Sequence, residues 1–203
     1  IMPSLVGSEM CIRDRKHIDG HAPGIRGKEV QAYRLAGVEN DHECSTAEEV
    51  LDKLRAGLHI YVREGSGAKN LETLIKTMLD AGVCLDRCAF CTDDKHVEEI
   101  RKEGHISTCI RKAIALGVPV AKAYKMGSYQ AAEFYGLKNY GAIGAGYRAD
   151  IVFLDDLEQV RPLDVMKDGR ILTEEDYAKD YSVPVPDELL HTCLLYTSPS
   201  PRD

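Results

Sequence analysis

Four short stretches of this chain end in residues that can move protons or hold a cation: His21, then Asp41-His42-Glu43, then Arg63-Glu64, then Thr92-Asp93-Asp94. Imidazole offers a neutral nitrogen ligand. A carboxylate adds charge and can take a proton from water, so two histidines and one acid suit a shared divalent metal. One histidine alone at such a place is more often only hydrogen-bonded; His21, His42 and Asp93 at successive segment ends make the metal reading worth stating. Arg63 fits either a grip on substrate or a partner for a neighbouring acid. His17 has the wrong parity to share a face with Gly20 and His21. His59 begins its segment and belongs at the opposite rim, and His96 and His105 stay open. Glu48, Glu49 and the acids of 98–103 are expected on solvated helix faces.

A second pattern competes. Cys84, Cys88 and Cys91 are spaced Cys-x3-Cys-x2-Cys, which resembles the motif that holds a four-iron cluster in radical S-adenosylmethionine enzymes. Its context argues against it. Two of the three thiols fall inside a predicted strand, little α/β pattern follows, and no glycine-rich acidic segment comes after. Buried free cysteines are the plainer reading.

The elements that must position these groups alternate. Strands are predicted over 16–22, 38–43, 59–62 and 88–92. Between them, 29–36 forms a modest helix, and Ser45 or Thr46 caps another with Glu48 or Glu49 as the return partner. The clearest helix opens at Asn70, where Leu71, Leu74, Ile75, Met78 and Leu79 recur on one face. Ser107 is expected to cap a helix that ends at Gly117, and 121–126 and 129–135 form two short ones. Strands separated by helices imply a parallel sheet, whose carboxyl ends share one face. After Gly136 the grammar changes: a strand at 151–154 and a hairpin about Asp168-Gly169 predict a small β module. The acidic tail from Thr173 reads as linker.

Composition narrows the field. The chain has 203 residues, a net charge of -7, 44% hydrophobic residues and no tryptophan. No basic stripe marks a nucleic-acid binder, and no apolar run is long enough to span a membrane. Leaving the ends aside, five cysteines remain, Cys44, Cys84, Cys88, Cys91 and Cys109. An odd set without framework spacing fits reduced thiols in the cytoplasm.

The two ends differ from the middle. A DNA that encodes Ser4 to Asp14 and runs one base into the codon of Arg15 can yield, from its opposite strand, Cys-Leu-Leu-Tyr-Thr-Ser-Pro-Ser-Pro-Arg-Asp, which is residues 193–203. Such inversion resembles a transposase-type library adapter. Residues 1–15 and 193–203 are therefore expected to be non-native tails.

Taken in order, Gly20-His21-Ala22-Pro23-Gly24, Asn40-Asp41-His42-Glu43, Arg63-Glu64-Gly65-Ser66 with Lys69-Asn70, Thr92-Asp93-Asp94-Lys95-His96 and Glu103-Gly104-His105-Ile106 resemble the bacterial adenine deaminase family of the amidohydrolase superfamily. Gly146 to Val152 resembles the strand by which such enzymes return to a β-sandwich. The resemblance implies an α/β fold: the second half of a (β/α)8 TIM-type barrel over 16–136, a β-sandwich return over 137–175, and a linker or truncated further domain over 176–192. It implies His21 and His42 as metal ligands. Asp93 would touch the metal and take the proton of the attacking water, and Glu43 would be a second acid–base group. Arg63, Glu64 and Ser66 would bind substrate. The implied cofactor is a divalent metal, manganese first, with iron or zinc as alternatives, and the implied partner is a small purine in a homo-oligomeric full-length enzyme. Other cyclic-amidohydrolase chemistry and a non-catalytic barrel subunit stay open. The fragment alone is expected to be inactive and to bind metal weakly.

Overall fold

The computed structural model describes residues 17–178, 182 and 184–187; both tails expected to be non-native, and most of 176–192, lie outside these. The first half alternates α1 (Lys28–Leu35), β1 (Asn40–Asp41), α2 (Ala47–Arg55), β2 (His59–Arg63), α3 (Leu71–Asp80), a short 3-10 turn (Leu85–Arg87) and β3 (Cys88–Cys91). Then come α4 (Val97–Glu103), α5 (Ile106–Ala115), α6 (Val120–Gly127) and α7 (Tyr129–Phe134). The strands form a parallel sheet in the order β1-β2-β3, with Asn40 beside His59 and Arg63 beside Cys91.

The predicted strand at 16–22 shrinks to one parallel bridge between Ile18 and Val38. The reason lies in where its backbone donors go. Gly20 N–H donates to Asn40 Oδ1 at 2.7 Å, Ala22 N–H to Asp41 Oδ1 at 2.8 Å, and Gly24 N–H to Glu49. Side chains, not a strand ladder, satisfy this segment. It also lies directly on β1: a side chain at Gly20 would run into the Asn40 carbonyl oxygen.

Packing follows the pleat. Ile60 and Val62 on β2 are fully buried against the helices, in one cluster with Leu71, Leu74, Ile75 and Met78 of α3. Each such side chain contributes roughly 1.5–3 kcal/mol. Tyr61, between them, faces the other way and packs on Ala89 and Phe134. The helix at Asn70 is as predicted. Thr46, not Ser45, caps α2, and Glu49 closes the capping box.

Ser107 does not cap α5; it sits inside the helix. Gly104, at φ 97°, ends α4, and His105 then turns its Nε2 toward Thr92 Oγ1 at 2.7 Å. His105 thus occupies the N-cap position of α5, with no side-chain cap bond.

The chain ends in one antiparallel sheet, β4 (Ile151–Asp156), β5 (Arg161–Lys167) and β6 (Arg170–Ile171), followed by α8 (Glu174–Ala178). The hairpin falls at Asp168-Gly169, both at positive φ, as a two-residue turn of this type requires. Among the described residues no helix is long and apolar enough to cross a membrane.

Candidate metal centre

His21 follows the Ile18 bridge, while His42 and Glu43 follow β1, so a candidate ligand set gathers at the carboxyl edge of the sheet. One ligand atom from each of His21, His42 and Glu43 lies within 4.8 Å of the others. Glu43 Oε1 is 3.5 Å from His21 Nδ1 and 3.6 Å from His42 Nε2. Two imidazole nitrogens and one carboxylate oxygen suit zinc, manganese or iron(II). His21 is open, with 66% of its side chain exposed against 14% for Glu43. This donor set fits a divalent cation.

Asp93 is not in that triplet. It stands at the turn after β3 in the left-handed region, at φ 47°, a conformation aspartate tolerates better than most residues. Its Oδ2 accepts from Arg63 Nη1 at 2.6 Å, and the same guanidinium pairs with both oxygens of Glu43, at 3.0 Å for Nη2. Arg63 thus joins the two carboxylates. Of the two roles left open for it, the structure supplies the partner for acids.

Glu64 points elsewhere. It is buried and pairs with Lys112 of α5 at 2.6 Å, on the helix side of the sheet, whereas Arg63 turns to the site. Ser66 ties loops together: its hydroxyl meets Glu99 and accepts from His96 N–H at 2.9 Å. Asp94 accepts from Gly67 N–H at 2.7 Å, which holds its carboxyl below the usual range. Its carboxylate fills the space that a side chain at Gly65 would need. Lys95 pairs with Glu103 at 2.8 Å.

The three cysteines of the iron–sulfur pattern are not gathered. Cys88 packs in the main core against Met78, Cys91 faces the Tyr61 side, and Cys84 is exposed beside Asp86. Residues three apart on a strand point to opposite faces, so β3 itself separates two of the thiols. His59 lies at the far rim as expected, against Phe134. Burial first, and the nearby Arg87 second, lower its pKa to about 4.

Sequence reasoning missed a buried ionic group beneath the centre. Lys53 and Asp41 are fully buried and 2.8 Å apart, and Lys53 also donates to Ala22 O at 2.7 Å. Glu49, expected on a solvated face, is buried with its Oε1 3.9 Å from the same ammonium. Burial pushes Glu49 up, but donors from Ser45, Gly24 and Thr46 outweigh it and bring its pKa to about 2. A signal existed: Lys53 is three residues past Val50 and four past Glu49, on the helix face that turns inward.

This chain belongs to the amidohydrolase family, whose profile matches residues 8–172. The solved β-aspartyl dipeptidase of Fervidobacterium islandicum AW-1 has a similar fold, with TM-score 0.59 and 19% identity over 81% of this chain and 49% of that one. Within the family, the chain is 45% identical to an adenine deaminase of Clostridium acetobutylicum over 79% of its own length and 28% of that protein's. It is 38% identical to adenine deaminase 2 of Carboxydothermus hydrogenoformans over 92% of itself and 32% of the relative. The chain therefore spans under a third of the length of these relatives.

Proposed function

We propose that this chain is part of a metal-dependent enzyme that converts adenine and water to hypoxanthine and ammonia, a step of purine salvage. The observation that carries the proposal is the meeting of His21, His42 and Glu43 in a chain 45% identical to an adenine deaminase. In this reading the Ile18 bridge, β1, β2 and β3 are the last four strands of a (β/α)8 barrel. The antiparallel sheet over 151–171 is then part of an adjoining β-sandwich. The free thiols of Cys44, Cys84, Cys88, Cys91 and Cys109 suit a reducing compartment such as the cytoplasm. The complete enzyme is a homo-oligomer.

His21 and His42 would hold the cation, manganese first, with Glu43 beside them. When bound there, a divalent ion would supply a nucleophile by lowering the pKa of water from about 15.7 toward 7. Asp93 accepts the proton as oxygen adds to C6 of the purine. A carboxylate, Asp93 or Glu43, then returns a proton to the exocyclic nitrogen. The C6–N bond breaks and ammonia leaves. Arg63 holds both acids near one another and, with Ser66, frames the purine's side of the site, while Glu64 stays on the helix side with Lys112.

The test joins this chain to the remaining length of its relatives, adds manganese and adenine, and measures ammonia. Asp93→Asn is expected to lower turnover by at least about 100-fold, as for loss of a general base, with the fold kept. Undiminished turnover in that variant, or no ammonia from the complete protein, overturns the proposal. The 203-residue chain alone is expected to release none.

A further inference from the structure

We infer that Lys53, with Asp41 and Glu49, is a positioning group that fixes the distance between His21 and the His42-Glu43 pair and so sets cation affinity; this rests on the metal reading of that triplet. The bonds of Lys53 and Asp41 land beside the ligands, and those of Glu49 two or three residues further out. Lys53 Nζ holds the carbonyl of Ala22, one residue after His21, at 2.7 Å, and Asp41, one residue before His42, at 2.8 Å. Asp41 Oδ1 accepts from Ala22 N–H at 2.8 Å and its Oδ2 from Glu43 N–H at 3.2 Å. Glu49 takes the Gly24 N–H on one side and the Ser45 and Thr46 N–H groups, at 3.1 and 2.9 Å, on the other.

No regular ladder joins the 20–24 segment to 41–46. The trio is what staples them. Its charges are sealed from water, with Lys53 and Asp41 fully buried. They are therefore little screened and hold one geometry. His21 itself is exposed and has no burial of its own to fix its ring. Groups that orient metal ligands from behind usually cost 10–100-fold in metal affinity when removed.

Simple stability is the competing explanation, and the variants separate the two. Lys53→Met alone leaves Asp41 charged and buried. The double variant Lys53→Met with Asp41→Asn removes that charge in step, while Glu49 keeps its N–H partners. It is expected to fold cooperatively. Gln130→Leu is the comparator: it deletes buried bonds to the carbonyls of Leu85 and Cys88, residues outside the centre. It should lose stability and keep cation affinity.

The probe is cobalt(II), followed by its visible absorption and by calorimetry on this chain joined to the remaining length of its relatives, with His42→Ala to show that uptake occurs at the triplet. The expected result is a 10–100-fold weaker affinity and an altered cobalt spectrum in the folded double variant. A folded double variant within twofold of the wild type overturns the role of Lys53 and leaves the metal reading standing. Joined wild-type protein that takes up no cobalt, or whose uptake is unchanged by His42→Ala, overturns both.

Discussion

The parallel sheet and the antiparallel module solve the same problem differently. Both must satisfy backbone groups where strands end. At the parallel edge the partners are side chains far away in sequence: Asp41 for Ala22, Glu49 for Gly24, Asp94 for Gly67. In the module several are neighbours: Asp156 accepts from Glu158 and Gln159, and Asp176 from Thr173, within three residues, although Asp150 reaches across to the Asp168 N–H. The first arrangement needs the tertiary fold to be complete before any loop is in place. The second needs little more than its own turns and hairpins. The candidate centre lies in the first, because His21 and His42, from separate segments, can meet only where the fold brings them.

If that contrast is right, disruptions should be unequal. Lys53→Met strips the cation from two buried carboxylates and should cost about 3–5 kcal/mol of unfolding free energy in urea. Leu74→Ala, in the core under the parallel sheet, should cost roughly 2–5 kcal/mol with a normal m-value. By contrast Val152→Ala on β4, where the residue is 53% exposed, should stay within about 0.5 kcal/mol. Equal losses at positions 74 and 152 would remove the distinction between the regions.

Acid offers a subtler probe of the same contrast. His59 has a folded pKa of about 4 against an ordinary 6.5. Between those values the unfolded chain binds more protons, so stability present above pH 6.5 is lost as pH falls toward 4. Glu49, at about 2 against 4.5, extends the loss below pH 4.5 by the same sign. Midpoints measured across this range should fall less steeply in His59→Gln. An unchanged slope would show that the ring's burial is not what the proton opposes.

Legibility followed the same line. The helix at Leu71–Asp80, the capping box of α2 and the Asp168-Gly169 hairpin were readable because their causes lie within a few residues. The closeness of His21 and His42 was readable because a parallel sheet brings its strand ends to one side. Lys53 and the burial of Glu49 were missed: the helix face hinted at them, but the partners that draw them inward, Asp41, Ala22 and Gly24, are 12 to 31 residues away. Glu64 escaped for another reason. One residue along a strand reverses the face, so adjacent charged residues such as Arg63 and Glu64 serve different layers.

The bare α-carbon of residue 20 has a consequence for how such a centre can evolve. Main chain rests on main chain there, so the gap between the two imidazole-bearing segments is as small as peptide atoms allow. Swapping apolar residues beneath the sheet leaves this gap unchanged. A single methyl group at that point would wedge it open, and every other part of the molecule could stay intact while the pair of rings came apart.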